Sequence, residues 1–281
     1  MVTNRRASLD EIRAFHAKMM AAASNSTDER LERIFELVPR EAFLGPGPWQ
    51  IMAYNRRYLE TPNADPAFLY QNVVVALHAA KGINNGEPFL HAAWIGAASP
   101  KAGETVIHIG AGVGYYTALL SLLVLPKGHV HAFEIEEDLA TRARENLEPF
   151  EGVSVIGGDA TVLPLPEADL IYVNAGVSAP PSYWLSALRP GGRIIFPWQA
   201  NDKAAISVLL TRSETNFSAR PVMPAWFIPC VGASNSDHCI KPPSMTEAWS
   251  IRSVWLARDR SPDDSAVAIY KELWFSREAA Q

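Results

Sequence analysis

The stretch VIHIGAGVGYYT at residues 106–117 decides the fold, because an apolar run ends at a glycine-spaced turn and a second apolar run follows it. Glycine lacks a Cβ, so the backbone of such a turn can approach a ligand, and the helix that follows offers free N–H groups. A strand, a glycine turn and a helix in this order are typical of α/β proteins that bind nucleotides. A histidine, His108, stands inside the strand, two residues before the first glycine.

The spacing of the glycines separates two classes of ligand. Dinucleotide-binding proteins use G-x-G-x-x-G and hold the pyrophosphate at the start of the helix. Here the spacing is G-x-G-x-G, so the third glycine, Gly114, comes one residue early, and the bulky Tyr115 and Tyr116 follow it. This form favours S-adenosylmethionine (SAM), because only an adenosine and an amino-acid tail must fit. A nicotinamide dehydrogenase becomes a distant alternative.

Two acidic residues and a second glycine turn follow in the order that a SAM site requires. Glu134 ends the stretch HVHAFE, 24 residues after Gly110, and an acid there accepts hydrogen bonds from both ribose hydroxyls. Asp159 follows the third strand, where a carboxylate can accept a hydrogen bond from the adenine amino group. The stretch LRPGGRII at 188–195 has the L-x-P-G-G-x-h-h form of methyltransferases. The predicted cofactor contacts are His108, Gly110, Ala111, Gly112, Gly114, Tyr115, Glu134, Ile135, Asp159, Ala160 and Asn174.

Strands and helices alternate between residues 88 and 200, which predicts a parallel sheet with right-handed crossovers. The expected fold is α/β, a Rossmann-like, doubly wound, mostly parallel sheet of the class I methyltransferase type with helices on both faces. We expect an N-terminal helical cap over 1–87, a SAM-binding core over 88–232 and a β-rich C-terminal extension over 233–281. Further strands are expected at 205–211 and 225–231, and a turn at Arg189-Pro190-Gly191-Gly192.

The composition is that of a globular protein, with 48% hydrophobic and 20% charged residues among 281. A formal net charge of -5 makes a nucleic-acid partner unexpected, since phosphate binding needs basic patches. The sequence has no long apolar segment, so neither a membrane span nor a signal peptide is expected. The only cysteines are Cys230 and Cys239, without the spacing of a metal site, so a cytoplasmic protein without a metal is expected.

Three stretches resemble the protein-L-isoaspartate O-methyltransferase family. The stretch VPREAF at 38–43 is similar to the family's V-P-R-E-x-F signature, and 109–117 is similar to its I-G-x-G-x-G-Y-x-T motif. The stretch WFIPCVG at 226–232 resembles its F-V-P-L-V strand. The resemblance implies a SAM-dependent enzyme that methylates a carboxylate, with S-adenosylhomocysteine as the second product.

The chain departs from this family where substrate is held. The family's loop G-Q-T-I-S-x-P is matched by GEPFLHA at 86–92, so Pro88 replaces the threonine and Leu90 the serine. Both hydroxyls that the resemblance implies for substrate binding are gone, and the polar side chains that remain are Glu87 and His91. The chain also continues to residue 281 beyond the last resembling strand. The acceptor, a peptide or a small molecule, therefore stays open.

The chemistry of methyl transfer narrows the search for catalytic residues. A carboxylate nucleophile is already ionised at neutral pH, so positioning and desolvation suffice. A hydroxyl or amine acceptor would need a base or a metal, and the fourth strand ends in Asn174 where metal-dependent enzymes place carboxylates. We predict His91, Glu87 and Asn174 as catalytic residues, with His78 and His108 as further candidate bases.

The leading hypothesis is a carboxyl O-methyltransferase. The alternatives are a hydroxyl- or nitrogen-directed methyltransferase of specialised metabolism and a non-catalytic SAM-binding adaptor; the oligomeric state stays open. An apolar substrate pocket is expected from the aromatic residues Trp49, Tyr54, Tyr58, Tyr70 and Trp94.

His108 occupies a position where SAM enzymes usually place Asp or Glu to hold the ammonium group of the methionine tail. A neutral imidazole accepts one hydrogen bond, whereas a protonated one repels an ammonium. We therefore expect a neutral His108 that contacts SAM, and an affinity for SAM that falls below about pH 6.5, the ordinary histidine pKa.

Overall fold

The structure, a computed structural model, describes residues 6–53 and 57–280. Its helices are α1 (Leu9–Ala23), α2 (Arg30–Leu37), α3 (Pro88–Ala98), α4 (Tyr115–Val124), α5 (Glu137–Leu147), α6 (Ser182–Ala187) and α7 (Met245–Trp249). Its strands are β1 (Gln50–Met52), β2 (Tyr58–Glu60), β3 (Ala76–His78), β4 (Ile83–Asn84), β5 (Thr105–Ile109), β6 (His129–Glu134), β7 (Val153–Gly157), β8 (Ala168–Val173), β9 (Leu188–Asn201), β10 (Ala204–Arg212), β11 (Phe217–Pro224), β12 (Cys239–Lys241), β13 (Ser253–Leu256), β14 (Ala266–Tyr270) and β15 (Leu273–Ser276).

Five neighbouring strands run parallel, in the order β9-β8-β5-β6-β7. The alternating α/β fold is therefore confirmed. The carboxyl ends of β5, β6 and β8 come together at one edge, because Ile109 pairs with Phe133 on one side and with Val173 on the other. Ligands of open α/β sheets bind at such an edge.

Helices cover both faces of the parallel strands. The side chains of α1 to α5 form one apolar cluster with Val106 and Tyr172, and those of α6 and α7 form another with Ile107 and Val173. Successive residues of a strand point to opposite faces, so His108 of β5 lies on the same face as Val106, beneath α4.

The Pro-Gly-Gly turn proves to be a bulge within one long strand, β9. Its pairing with β8 moves from Ala168–Leu188 to Leu170–Arg193, which leaves three extra residues on β9. Gly191 adopts a φ of 77°, a left-handed conformation that glycine accommodates without strain. Because the residues of the expected turn form a bulge that does not interrupt the strand, β9 begins at Leu188, before that turn.

The expectation of a strand at 225–231 is wrong. The strand lies earlier, at β11, because Phe217 and Ala219 are buried alternately against β10. Residues 225–231 contain Pro229, which has no N–H for a sheet ladder. The segment is instead anchored through Gly176, whose N–H donates to the carbonyl of Ile228 and whose carbonyl accepts from Cys230.

The C-terminal residues continue the same sheet. Beyond β11 the order is β13-β15-β14-β12, with antiparallel pairing throughout. Trp198 of β9 stacks on Phe275 at 4.1 Å between ring centroids and donates its indole N–H to Tyr270 Oη at 3.1 Å. The division of the chain at residue 232 stays a prediction, since the extension shares an apolar core with the parallel strands.

Within residues 6–53 and 57–280, none of the helices has the length and apolar character that a membrane crossing requires.

Candidate functional site

A cleft of about 970 Å³ opens at the carboxyl ends of β5, β6 and β8. One side of it, called the glycine side here, is formed by Gly110, Gly112, Glu134, Asp159 and Asn174. The other, called the aromatic side, is formed by Tyr58, Leu90, His91, Trp226 and Phe227. Nine of the eleven predicted cofactor contacts border this cleft: Gly110, Ala111, Gly112, Tyr115, Glu134, Ile135, Asp159, Ala160 and Asn174.

The glycine turn is held to the neighbouring strand by its backbone. The N–H groups of Gly110 and Ala111 both donate to the carbonyl of Phe133, at 2.9 and 3.0 Å. Gly114, predicted to contact the cofactor, does not border the cleft. Its φ is 93°, and a Cβ on it would lie 2.7 Å from Leu147 of α5. The third glycine is therefore required for helix packing, which corrects the expected ligand contact.

Glu134 is fixed in place by backbone donors. One carboxylate oxygen accepts from Gly112 N at 2.6 Å, and the other accepts from Glu136 N at 2.9 Å. Burial raises the pKa of Glu134 above its usual range. A carboxylate has about four lone-pair sites, so acceptor capacity remains for the hydroxyls of a ribose. The carboxylate thus lies beside the glycine turn, at the end of the strand where the sequence predicts an acid.

The change Glu134→Ala is expected to weaken SAM binding by about 1–3 kcal/mol, the cost of leaving the ribose hydroxyls without their acceptor. Isothermal titration calorimetry with SAM measures this loss. Glu137→Ala is a matched control, because the Glu137 carboxylate pairs with Arg144 outside the cleft. Equal SAM affinities for the wild type and Glu134→Ala would show that the ribose is bound elsewhere.

Asp159 and Ala160 form a turn at the end of β7. Asp159 Oδ1 accepts from Thr161 N at 2.7 Å, which orients the carboxylate along the cleft wall. The carbonyl of Ala160 accepts from the indole of Trp184 at 3.0 Å. Ile135, which is 44% exposed, borders the same part of the cleft. An acid beside an exposed aliphatic side chain suits the amino group and the face of an adenine; the adenine contact stays a prediction.

His108 does not reach the cleft. It is fully buried beneath α4, with Nδ1 2.8 Å from Thr117 Oγ1 and Nε2 2.8 Å from Asn174 Nδ2. The expected direct contact with SAM is corrected, because the strand's alternation points this side chain away from the cleft edge. His108 instead holds one end of the amide of Asn174, which borders the cleft. The other end, Asn174 Oδ1, is buried without a partner among the described residues.

Burial lowers the pKa of His108 to about 3. The imidazole is therefore neutral at physiological pH. The expected fall in SAM affinity below pH 6.5 no longer follows, because the group that was to become charged there stays neutral.

His91 borders the cleft from a buried position on α3. Its ring stacks on Tyr116 at 3.7 Å between centroids, and Nδ1 lies 2.9 Å from Tyr172 Oη. Nε2 faces Gly86, where a Cβ would lie only 2.2 Å away. Burial, with His108 and Arg40 nearby, holds the pKa of His91 well below its usual value. Such an imidazole is a poor proton acceptor at neutral pH. His91 is therefore not suited to act as a general base.

The remaining catalytic candidates are placed differently. Glu87 borders the cleft and accepts a hydrogen bond from Asn72 Nδ2, while Asn72 Oδ1 accepts from Phe89 N at 2.9 Å. Asn72 thereby fixes the start of α3. His78 lies 3.2 Å from Asp138 and does not border the cleft, so it is not placed to act as a base there.

Arg40 lies close to the site, and the sequence pattern did not reveal what this residue does. It is fully buried, and its guanidinium donates to the carbonyls of Leu69, Val73 and Gly86 and to Asn85 Oδ1, at 2.6 to 3.4 Å. The arginine of VPREAF thus links the loop at Asn85–Gly86 to the segment that contains Leu69 and Val73. The motif singled out this residue, but four acceptors distant in sequence are visible only in the fold.

The aromatic side differs from the expected set of pocket residues. Tyr58 borders the cleft, whereas Trp49, Tyr70 and Trp94 belong to the buried core; Tyr54 lies outside the described residues. Phe227, which was not predicted, stacks on Trp94 at 5.1 Å between centroids. Pro88 and Leu90, which replace the lost hydroxyls, are both buried, and Leu90 borders the cleft. The described residues contain no group of three His, Cys, Asp or Glu side chains that could hold a metal ion.

The residues of the glycine side fit SAM. Gly110 and Gly112 have φ values of 76° and 57°, and a Cβ on Gly110 would lie 3.4 Å from the backbone of Asn174. Glycine adopts these left-handed conformations without strain, and both glycines border the cleft, so the turn presents its backbone there. Glu134 and Asp159 are carboxylate acceptors at the border of this cleft, and an adenosine needs such acceptors for its ribose hydroxyls and its amino group.

Comparison with known proteins shows which family the chain is similar to. The model of the family described as Protein-L-isoaspartate(D-aspartate) O-methyltransferase (PCMT) matches residues 17–235. The protein-L-isoaspartate O-methyltransferase of Hyperthermus butylicus is 30% identical over 217 residues, which are 73% of this chain and 82% of that protein. The enzyme of the same name from Methanothrix thermoacetophila is 27% identical over 219 residues, 76% of this chain and 94% of that protein.

Two solved structures share the fold. A protein-L-isoaspartate O-methyltransferase superposes with a TM-score of 0.66 at 23% identity, over 80% of this chain and 66% of the other. A putative enzyme of this kind from Plasmodium falciparum, in complex with S-adenosyl-L-homocysteine, has a TM-score of 0.61 at 17% identity, over 78% of this chain and 97% of its own.

Proposed function

The chain belongs to the protein-L-isoaspartate(D-aspartate) O-methyltransferase family and is a SAM-dependent methyltransferase; on this premise we propose that it methylates the carboxylate of an isoaspartyl residue in a peptide or protein. The observation that carries the proposal is the state of His91. This imidazole borders the aromatic side of the cleft, yet it is stacked on Tyr116, its Nδ1 lies 2.9 Å from Tyr172 Oη, and burial holds its pKa well below the usual value. An acceptor that brings its own negative charge, as a carboxylate does at neutral pH, needs no base from the protein.

SAM, when bound, supplies a methyl group on a positively charged sulfur. The protein's part is to bind, orient and exclude water. Glu134 and Asp159 would hold the ribose and the adenine, and the glycine turn would lie against the nucleoside. On the aromatic side, Leu90 and Phe227 are apolar and would keep water from the carboxylate nucleophile. A carboxylate freed of water is more reactive toward an in-line displacement, in which the sulfur leaves as the thioether of S-adenosylhomocysteine.

The test uses SAM labelled in its methyl group and two peptides that differ only in isoaspartate against ordinary aspartate. We expect label on the isoaspartyl peptide, and its release as methanol on mild base treatment, because an ester hydrolyses readily. Label that survives base would indicate an ether or an N-methyl product, which is the hydroxyl- or nitrogen-directed alternative. Binding of SAM without transfer to either peptide or to any acid in a metabolite extract would indicate a SAM-binding adaptor.

A small-molecule carboxylate is the second candidate acceptor. It is favoured by Pro88 and Leu90, which replace the two hydroxyls that the family's loop carries. Transfer of base-labile label to metabolite acids, with none to the isoaspartyl peptide, would distinguish this activity from the proposed one.

A further inference from the structure

The mouth of the cleft carries an exposed tryptophan on its aromatic side. Trp226 is 49% exposed and borders the cleft, and Val231 in the same segment is 58% exposed. Large apolar side chains held open to solvent beside a binding cleft are typical of contact sites for a partner. The proposed reaction uses neither of them.

The segment that presents Trp226 is firmly anchored. The next residue, Phe227, donates its N–H to Gln199 Oε1 at 2.6 Å and stacks on the buried Trp94. Ile228 and Cys230 are hydrogen-bonded to Gly176, three residues after the end of β8, at 2.8 Å each. Before Trp226, the N–H of Ala225 donates to the carbonyl of Ala205 at 3.4 Å. With the backbone held on both sides, contact with the indole of Trp226 requires little ordering of the protein.

The neighbouring surfaces decide which chemistry suits this position. Leu90 occupies the place of a hydroxyl in the family's loop, and Met52 and Tyr58 border the same side of the cleft. Of the charged side chains that line the cleft, Lys81 pairs with Glu136 and Glu87 accepts a hydrogen bond from Asn72. An apolar group, rather than a charged one, therefore matches this surface.

We propose that Trp226 is a specificity-determining residue, which binds an apolar side chain adjacent to the isoaspartyl residue of the acceptor. The inference rests on the proposed function, because it names the peptide neighbour of the carboxylate that is methylated. An apolar side chain laid on the indole is removed from water, and this favours acceptors that carry one over acceptors with a polar neighbour.

The test compares two isoaspartyl peptides that differ only in the residue after isoaspartate, leucine or serine. For the wild type we expect kcat/KM to be about tenfold higher for the leucine peptide, a usual discrimination by one apolar contact. Trp226→Ala should bring the two values within about twofold, mainly through KM for the leucine peptide, and Trp226→Phe should restore most of the preference. Trp249→Ala is the matched control, since Trp249 is 37% exposed on α7 and does not border the cleft.

Calorimetric binding of the same peptides in the presence of S-adenosylhomocysteine gives a second measurement that does not depend on turnover. A wild type that methylates and binds both peptides equally, or a preference that survives in Trp226→Ala, would overturn the role of Trp226 while leaving the proposed function in place. Failure to methylate either peptide would instead overturn the proposed function.

Discussion

Acidification from pH 7 to pH 5 is expected to remove roughly 4 kcal/mol of the protein's stability, about 2 kcal/mol for each of the buried histidines His16 and His108, and His91 adds to this loss. Burial lowers the pKa of His16 to about 4, that of His108 to about 3 and that of His91 well below the usual value. The unfolded chain binds protons at these residues near pH 6.5, whereas the folded protein does not. Stability is therefore full above pH 6.5 and is lost as the pH falls below it. Urea unfolding at the two pH values measures the difference.

A variant of His16 tests the cause of this loss. Neither ring nitrogen of His16 has a hydrogen-bond partner in the described part of the chain, and the ring lies edge-on to Tyr70 at 5.3 Å between centroids. His16→Phe keeps an aromatic ring there, so the loss between pH 7 and pH 5 should shrink by about 2 kcal/mol. The raised pKa of Glu134 acts in the opposite direction, because its folded state favours the proton. Equal stability at pH 7 and pH 5, or an unchanged loss in His16→Phe, would refute the explanation.

Arg40→Met is expected to destabilise the protein by about 3–5 kcal/mol. The guanidinium is buried with four acceptors, which are the carbonyls of Leu69, Val73 and Gly86 and the side chain of Asn85. A buried acceptor left without a donor costs about 1–3 kcal/mol, and the relief of burying a charge offsets part of the sum. Chemical unfolding measures the change.

Two variants give this prediction its controls. Arg40→Lys keeps the charge but not the planar fork of donors, so it should fall between the wild type and Arg40→Met. Arg13→Met removes a second arginine of this region. Arg13 donates to Glu41 at 2.7 Å and to Tyr70 Oη at 3.1 Å. Because Arg13 is closer to solvent, its loss should cost about 1 kcal/mol. A loss in Arg40→Met no larger than that in Arg13→Met would contradict the clamping role of Arg40.

The parallel part of the fold is accessible from the sequence because its signals are local. The strand Thr105–Ile109 ends at the glycine turn, and His129–Glu134 ends at the acid of HVHAFE, and both signals stand in the sequence itself. The segment 225–231 is apolar for another reason: Trp226 and Phe227 border a cleft. Apolar content alone does not distinguish a strand from a cleft wall, and the position of the strand at Phe217–Pro224 depends on its pairing with β10.

The site could be predicted for residues whose role is set by their place on the sheet edge. Glu134, Asp159 and Asn174 follow the ends of three strands and border one cleft. The position of His108 depends on contacts that the sequence does not contain, since its partners are Thr117, on a helix, and Asn174, directly after another strand. Its burial, which overturns the expected pH dependence, is a property of the packed helix above it.

A crystal structure of the complex with S-adenosylhomocysteine tests the central claim most directly, since that claim places the methyl donor in the cleft between the glycine side and the aromatic side. The account predicts both ribose hydroxyls on the carboxylate of Glu134, the adenine amino group on Asp159, and the sulfur directed toward Leu90 and Phe227. A nucleoside bound outside this cleft, or one that makes no contact with Glu134, would contradict it.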